Sequence, residues 1–98
     1  MNSILQSDNT YCLLCGKNAA VEPLDCHHVF GGANRKKSEE YGLKVYLHHS
    51  NCHIFGKNSV HQNANISNKL KAIAQRKAME YYGWDVDTFR SIFGKNYL

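Results

Sequence analysis

The chain has 98 residues, 43% of them hydrophobic, and carries a net charge of +4, which is one small domain with a limited core that needs a staple. The composition excludes a disordered polyelectrolyte, and the absence of any long apolar run excludes a membrane span. A basic balance suits a nucleic-acid partner without establishing one.

Residues 1–10 form a polar N-terminal segment without the apolar core of a signal peptide, so the expected location is cytoplasmic. In a reducing cytosol the four cysteines are better matched to metal than to disulfides. All four, and all six histidines, fall between Cys12 and His61. Residues 11–98 read as one α+β domain, with a metal-rich core over 11–64 and a helical part over 65–98.

Cys12-Leu-Leu-Cys15-Gly16 has the form of a zinc knuckle. Two thiolates three positions apart grip one tetrahedral ion, and the glycine lets the chain turn beneath them. His49-Ser-Asn-Cys52 repeats the spacing. Cys12, Cys15, His49 and Cys52 are therefore the expected ligands of a closed, structural Zn2+. Cys26 and His48 are the alternative ligands. Otherwise Cys26 reads as a small apolar residue buried on a strand, and His48 as a surface or supporting residue.

The stretch 24–32, Leu-Asp-Cys-His-His-Val-Phe-Gly-Gly, reads as a strand entering a turn. Residues 33–41 form a polar connection containing Arg35, Lys36 and Lys37. Residues 43–47 alternate as a second strand, and the two strands can pair as a hairpin. Neighbours on a strand point to opposite faces, so one of His27 and His28 can bind a metal while the other faces a substrate. With His53 and His61, three histidines can converge on a second ion that keeps open positions, as catalysis requires.

Ile66, Leu70, Ile73, Ala74, Ala78 and Tyr81 form a helical stripe, capped by Asn65 or Ser67 and ended by Gly83. A short helix follows, with Asp85 as N-cap, Trp84 and Phe89 as a staple across it, and Gly94 as its stop. Trp84, Phe89, Phe93 and Tyr97 are expected in the core.

Taken together, Cys12-x-x-Cys15, His27-His28, His49-x-x-Cys52-His53 and His61 resemble the HNH nucleases of the ββα-metal class. The likeness is to small phage- and prophage-type members, and it covers nearly the whole chain from Tyr11 onward. It implies a zinc-stapled ββα-metal finger followed by C-terminal helices. It also implies an endonuclease that hydrolyses DNA phosphodiester bonds to 5′-phosphate and 3′-hydroxyl ends. In that class a metal ligand precedes the general-base histidine, which implies His27 as ligand and His28 as base. His53 and His61 follow as the other ligands of a catalytic divalent metal (Mg2+, Mn2+, Zn2+ or Ni2+). The middle asparagine of the family has no clear counterpart, since its neighbourhood reads Tyr41-Gly42-Leu43-Lys44; Asn34 and Asn51 are available.

DNA would be held by its phosphates, through Arg35, Lys36 and Lys37 first and Lys44 and Lys57 second. The competing readings are a non-catalytic zinc module that binds nucleic acid or protein, and a subunit of a larger phage machine. A homodimer is a further expectation. In a phage setting the location would be the host cytoplasm.

Overall fold

The computed structural model of the chain describes residues 2–20 and 22–98. Strand β1 (Leu24–His28) is followed by a short 3-10 turn and helix α1 (Arg35–Tyr41). Strand β2 (Lys44–His48) then runs into a π-helical turn over His49–Ile54. Helices α2 (Ala64–Tyr82) and α3 (Val86–Phe93) complete a small α+β fold. Among the described residues no helix is long and apolar enough to cross a membrane.

The strands pair antiparallel, with Leu24 opposite His48, His27 opposite Val45 and His28 opposite Lys44. Their connection is not an open loop. Arg35–Tyr41 is helical, although only Ser38 along it is buried. The Ser38 hydroxyl accepts from the Phe30 N–H at 3.1 Å and donates to the Phe30 carbonyl at 2.8 Å, tying α1 to the end of β1. Gly42 ends the helix at φ 73°, and a Cβ there would lie 2.5 Å from the Asn2 carbonyl oxygen, so only glycine fits the passage into β2.

The edge of β2 receives the N-terminal segment. Gln6 is buried; its amide donates to the Tyr11 carbonyl and its Oε1 accepts from the Tyr46 N–H at 2.9 Å. Residues 3–6 are thus packed against the start and edge of β2, while residues 7–10 are exposed.

The stripe on α2 is rotated from the expected one. Leu70, Ala74, Gln75 and Ala78 are buried, whereas Ile73 and Tyr81 are more than half exposed. Gln75 reaches the core because its amide is fully used: Nε2 donates to Asn96 at 2.8 Å and Oε1 accepts from the Tyr97 N–H at 2.7 Å. The N-cap is Asn63, two residues before the earlier of the expected caps; it accepts from the Asn65 and Ile66 N–H groups. Gly83 ends the helix as expected.

On α3 the cap is Asp85, accepting from the Thr88 N–H at 2.8 Å, and Gly94 follows the last turn. Phe89 and Phe93 are buried and stack against each other, with Phe30 and Tyr97 packed on them. Trp84 stacks on Tyr82 and meets Tyr41 edge-on. The last carbonyls of α3 need donors. Asn34 Nδ2 donates to the Phe93 carbonyl at 2.9 Å and Lys37 Nζ to the Ile92 carbonyl at 2.6 Å. Both side chains are therefore engaged in capping a helix.

Candidate metal centres

Among the described residues, two groups of side chains are spaced to hold an ion. Cys12, Cys15, His48 and Cys52 bring one ligand atom each to within 4.8 Å of one another, and His27, His53 and His61 do the same.

The first group begins at the knuckle. The Cys12 N–H donates to the Lys17 carbonyl and the Gly16 N–H to the Cys12 carbonyl, folding residues 12–17 into a tight turn. The Leu13 N–H then donates to the Tyr46 carbonyl at 2.9 Å, docking that turn on β2. β2 delivers His48, which is 1% exposed, and the π turn delivers Cys52 four residues later. A tetrahedral zinc shell, with Zn–S about 2.3 Å and Zn–N about 2.0–2.1 Å, separates its ligand atoms by about 3.3–3.8 Å. The Cys15 Sγ to His48 Nδ1 separation of 3.2 Å lies close to that range. His48 Nε2 is 2.8 Å from the Asn18 carbonyl, which can only accept. The proton is thus on Nε2 and the lone pair on Nδ1, facing the sulfurs, an arrangement common to metal-bound histidines.

The thiols differ in acidity. Burial raises Cys12, but N–H groups of the knuckle and of His48 together with the Cys52 side chain outweigh it and bring the thiol down to about 7. Burial and the neighbouring Cys12 push Cys52 up to about 12. A cation among the sulfurs relieves that conflict. The Cys3His group is compatible with a structural metal such as zinc.

His49, the expected fourth ligand, is not in this group. The strand runs one residue further than expected, so alternation turns His48 toward the knuckle. His49 opens the π turn on the other side, with its side chain 47% exposed and its Nδ1 2.6 Å from Asp25 Oδ2. Cys26 joins neither group, and it is exposed rather than buried.

The second group gathers around β1. Asp25 and His27 share one face of the strand, the face whose cross-strand partners, Leu47 and Val45, are fully buried. The His27 ring lies 5.0 Å from His53 and 5.4 Å from His61, centroid to centroid. Burial first, and then the neighbouring His53 and His61, hold His27 down to about 3, so it stays a neutral donor. His61 is also lowered, by burial and then His53. His53 Nε2 and His61 Nε2 are 3.1 Å apart. Two nitrogens about 2.0–2.1 Å from one ion, at angles of about 90–110°, would be about 2.9–3.4 Å apart, so the pair fits a shared ion.

His28 points the other way, as alternation requires. Its Nε2 is 3.3 Å from Glu39 Oε1, while Glu39 Oε2 accepts from Lys44 Nζ at 2.5 Å. The Lys44 ammonium first, and His28 second, hold the Glu39 carboxyl down to about 2. Lys44 is buried in this pairing rather than free for a ligand. A cleft of about 480 Å3 opens over the three histidines and is also lined by His28, Arg35 and Lys71. Arg35 and Lys36 are exposed, and Lys37 is turned to α3.

Asp25, Glu39 and Lys71 were missed from sequence. The one available signal was the period of the strand, which places Asp25 beside His27. Asn51 is exposed, and its backbone N–H is held by Glu22 at 2.9 Å. Searches for relatives find no matching family model, curated protein or solved structure.

Proposed function

We propose that the chain is a metal-dependent endonuclease of the HNH, or ββα-metal, type that hydrolyses DNA phosphodiester bonds. The observation that carries this reading is the convergence of His27, His53 and His61 on an open cleft whose lining also includes a separate, largely buried histidine, His28, and two cations, Arg35 and Lys71. Three neutral imidazoles suit zinc, nickel or manganese, and magnesium with water and phosphate completing its shell.

When bound there, a divalent ion supplies a Lewis acid for a phosphate oxygen and the departing 3′-oxygen. The chain's own residues do the rest. The Glu39 carboxylate accepts from His28 Nε2–H, which leaves the Nδ1 lone pair to take a proton from water. The water oxygen bonds to phosphorus and the bond from phosphorus to the 3′-oxygen breaks. The water proton rests on His28 and solvent protonates the 3′-oxygen. Arg35 and Lys71 hold the flanking phosphates.

The test is cleavage of plasmid DNA by the full chain with added divalent ions. His28→Ala is expected to keep both metals and lose cleavage by roughly 10²–10⁴-fold, the usual worth of a positioned base. His53→Ala is expected to lose the second metal together with activity. A wild-type chain that binds zinc yet never cleaves DNA would leave the zinc-module reading in its place. Parental cleavage by His28→Ala would remove His28 as the base.

A further inference from the structure

We propose that Asp25 is a positioning residue for the tri-histidine centre, holding His53 in the one tautomer that can bind an ion, with His49 as the second donor that holds Asp25. The inference rests on reading the three histidines as a metal centre, and it adds residues that the cluster itself does not contain.

Asp25 stands two positions before His27, on the same face of β1. Its Oδ2 lies 2.9 Å from His53 Nδ1 and 2.6 Å from His49 Nδ1. An ionised carboxylate only accepts hydrogen bonds, so both rings donate Nδ1–H to it. A neutral His53 protonated at Nδ1 has its lone pair on Nε2, the atom 3.1 Å from His61 Nε2. Without the carboxylate, His53 is free to carry its proton on Nε2, where it would block the ion. The same hydrogen bond fixes the ring plane and makes Nε2 a stronger donor.

The chain path makes this arrangement economical. On the π turn, residues four apart lie close to one side. His48 and Cys52 therefore face the sulfur cluster while His49 and His53 face Asp25. This gives His49 a task, although it is no ligand in either group. Its ring is the second anchor for the carboxylate, keeping Oδ2 beside His53.

The test uses the full, zinc-loaded chain and two readouts besides activity. Cobalt(II) is titrated into wild type, Asp25→Ala, Asp25→Asn and His49→Ala, following the visible bands of the ion. Ring proton–nitrogen correlations of His53 are recorded without cobalt, at mildly alkaline pH. Asp25→Ala is expected to weaken cobalt binding about 10–100-fold, the usual cost of losing such a partner, with zinc content and melting unchanged. Its His53 should pass from Nδ1–H to a mixture of tautomers. Asp25→Asn keeps an acceptor without the charge and should fall in between, and it serves as the probe if the alanine variant does not fold. His49→Ala should show the smallest loss. Wild-type cobalt affinity together with an unchanged His53 tautomer in Asp25→Ala would overturn the proposal. If wild type takes no cobalt at its histidines, the metal reading of the cleft fails, and the His53 tautomer alone then decides the role of Asp25.

Discussion

The two candidate metal centres lie on either side of the same π turn, yet their chemistry is opposite. The Cys3His group offers three sulfurs and a buried imidazole; Cys12 and His48 are sealed from solvent and Cys52 nearly so, with Cys15 at the exposed edge. Three thiolates more than offset a divalent charge, and a fourth ligand leaves no place for a substrate. The tri-histidine group offers three imidazole nitrogens and no thiolate, one of them on exposed His61, under an open cleft. An ion held there keeps its full charge and its vacant positions. Donor charge and closure therefore suit the first group to a structural metal and the proposed second centre to an anionic ligand.

The largest effect expected from this contrast is at the closed centre. Cys12→Ser or His48→Ala should abolish zinc binding and cooperative folding together, since structural zinc contributes roughly 10–16 kcal/mol of binding free energy in small domains. His49→Ala should keep zinc and its melting transition. Zinc content and thermal unfolding of the three variants decide the matter. A native melt for Cys12→Ser, or zinc loss only in His49→Ala, would break the comparison.

A smaller effect concerns pH at the open centre. His27 is held down to about 3 when folded, whereas an unfolded imidazole titrates near about 6.5. Between those values the unfolded chain binds the extra proton, so the stability contributed by neutral His27 is complete above about 6.5 and drains as pH falls toward 3. Protein with only the zinc centre filled should thus lose stability over that window, by at most about 1.4 kcal/mol per pH unit for one proton. His27→Gln should show a shallower dependence in parallel denaturant titrations. Equal slopes would mean that His27 is protonated in the fold.

The smallest effects separate two cations that the sequence placed side by side. Arg35 lines the cleft, so on the proposed nuclease reading Arg35→Ala should reduce the salt dependence of DNA binding by about one phosphate contact, a change near 0.9 in the logarithmic slope. Lys37 is committed to the Ile92 carbonyl, so Lys37→Ala should leave that slope unchanged and cost roughly 1 kcal/mol of stability. The reverse pattern would return Lys37 to the proposed phosphate contacts.

What the sequence made legible follows local rules. The Cys12-x-x-Cys15 turn and the cap and stop of α3 at Asp85 and Gly94 are set by spacing and by near neighbours, whereas the gathering of His27 with the distant His53 and His61 was legible only from the strand pairing and the combined motif. The choice between His48 and His49 was not legible, because it depends on where β2 ends, and a shift of one residue reverses the face. Helix α1 was hidden for a different reason: with only Ser38 buried it has no apolar period to read. Gln75 and Lys37 are placed by partners 21 and 55 residues away, a distance no local pattern reaches.

The most direct measurement is a crystal structure of the chain grown with zinc and cobalt, with anomalous scattering recorded at both absorption edges. The account predicts two ions in each chain. One is enclosed by Cys12, Cys15, His48 and Cys52, and the other is held by His27, His53 and His61 with water in its remaining positions. A single ion, or a second one bound through His49 or Cys26, would contradict it.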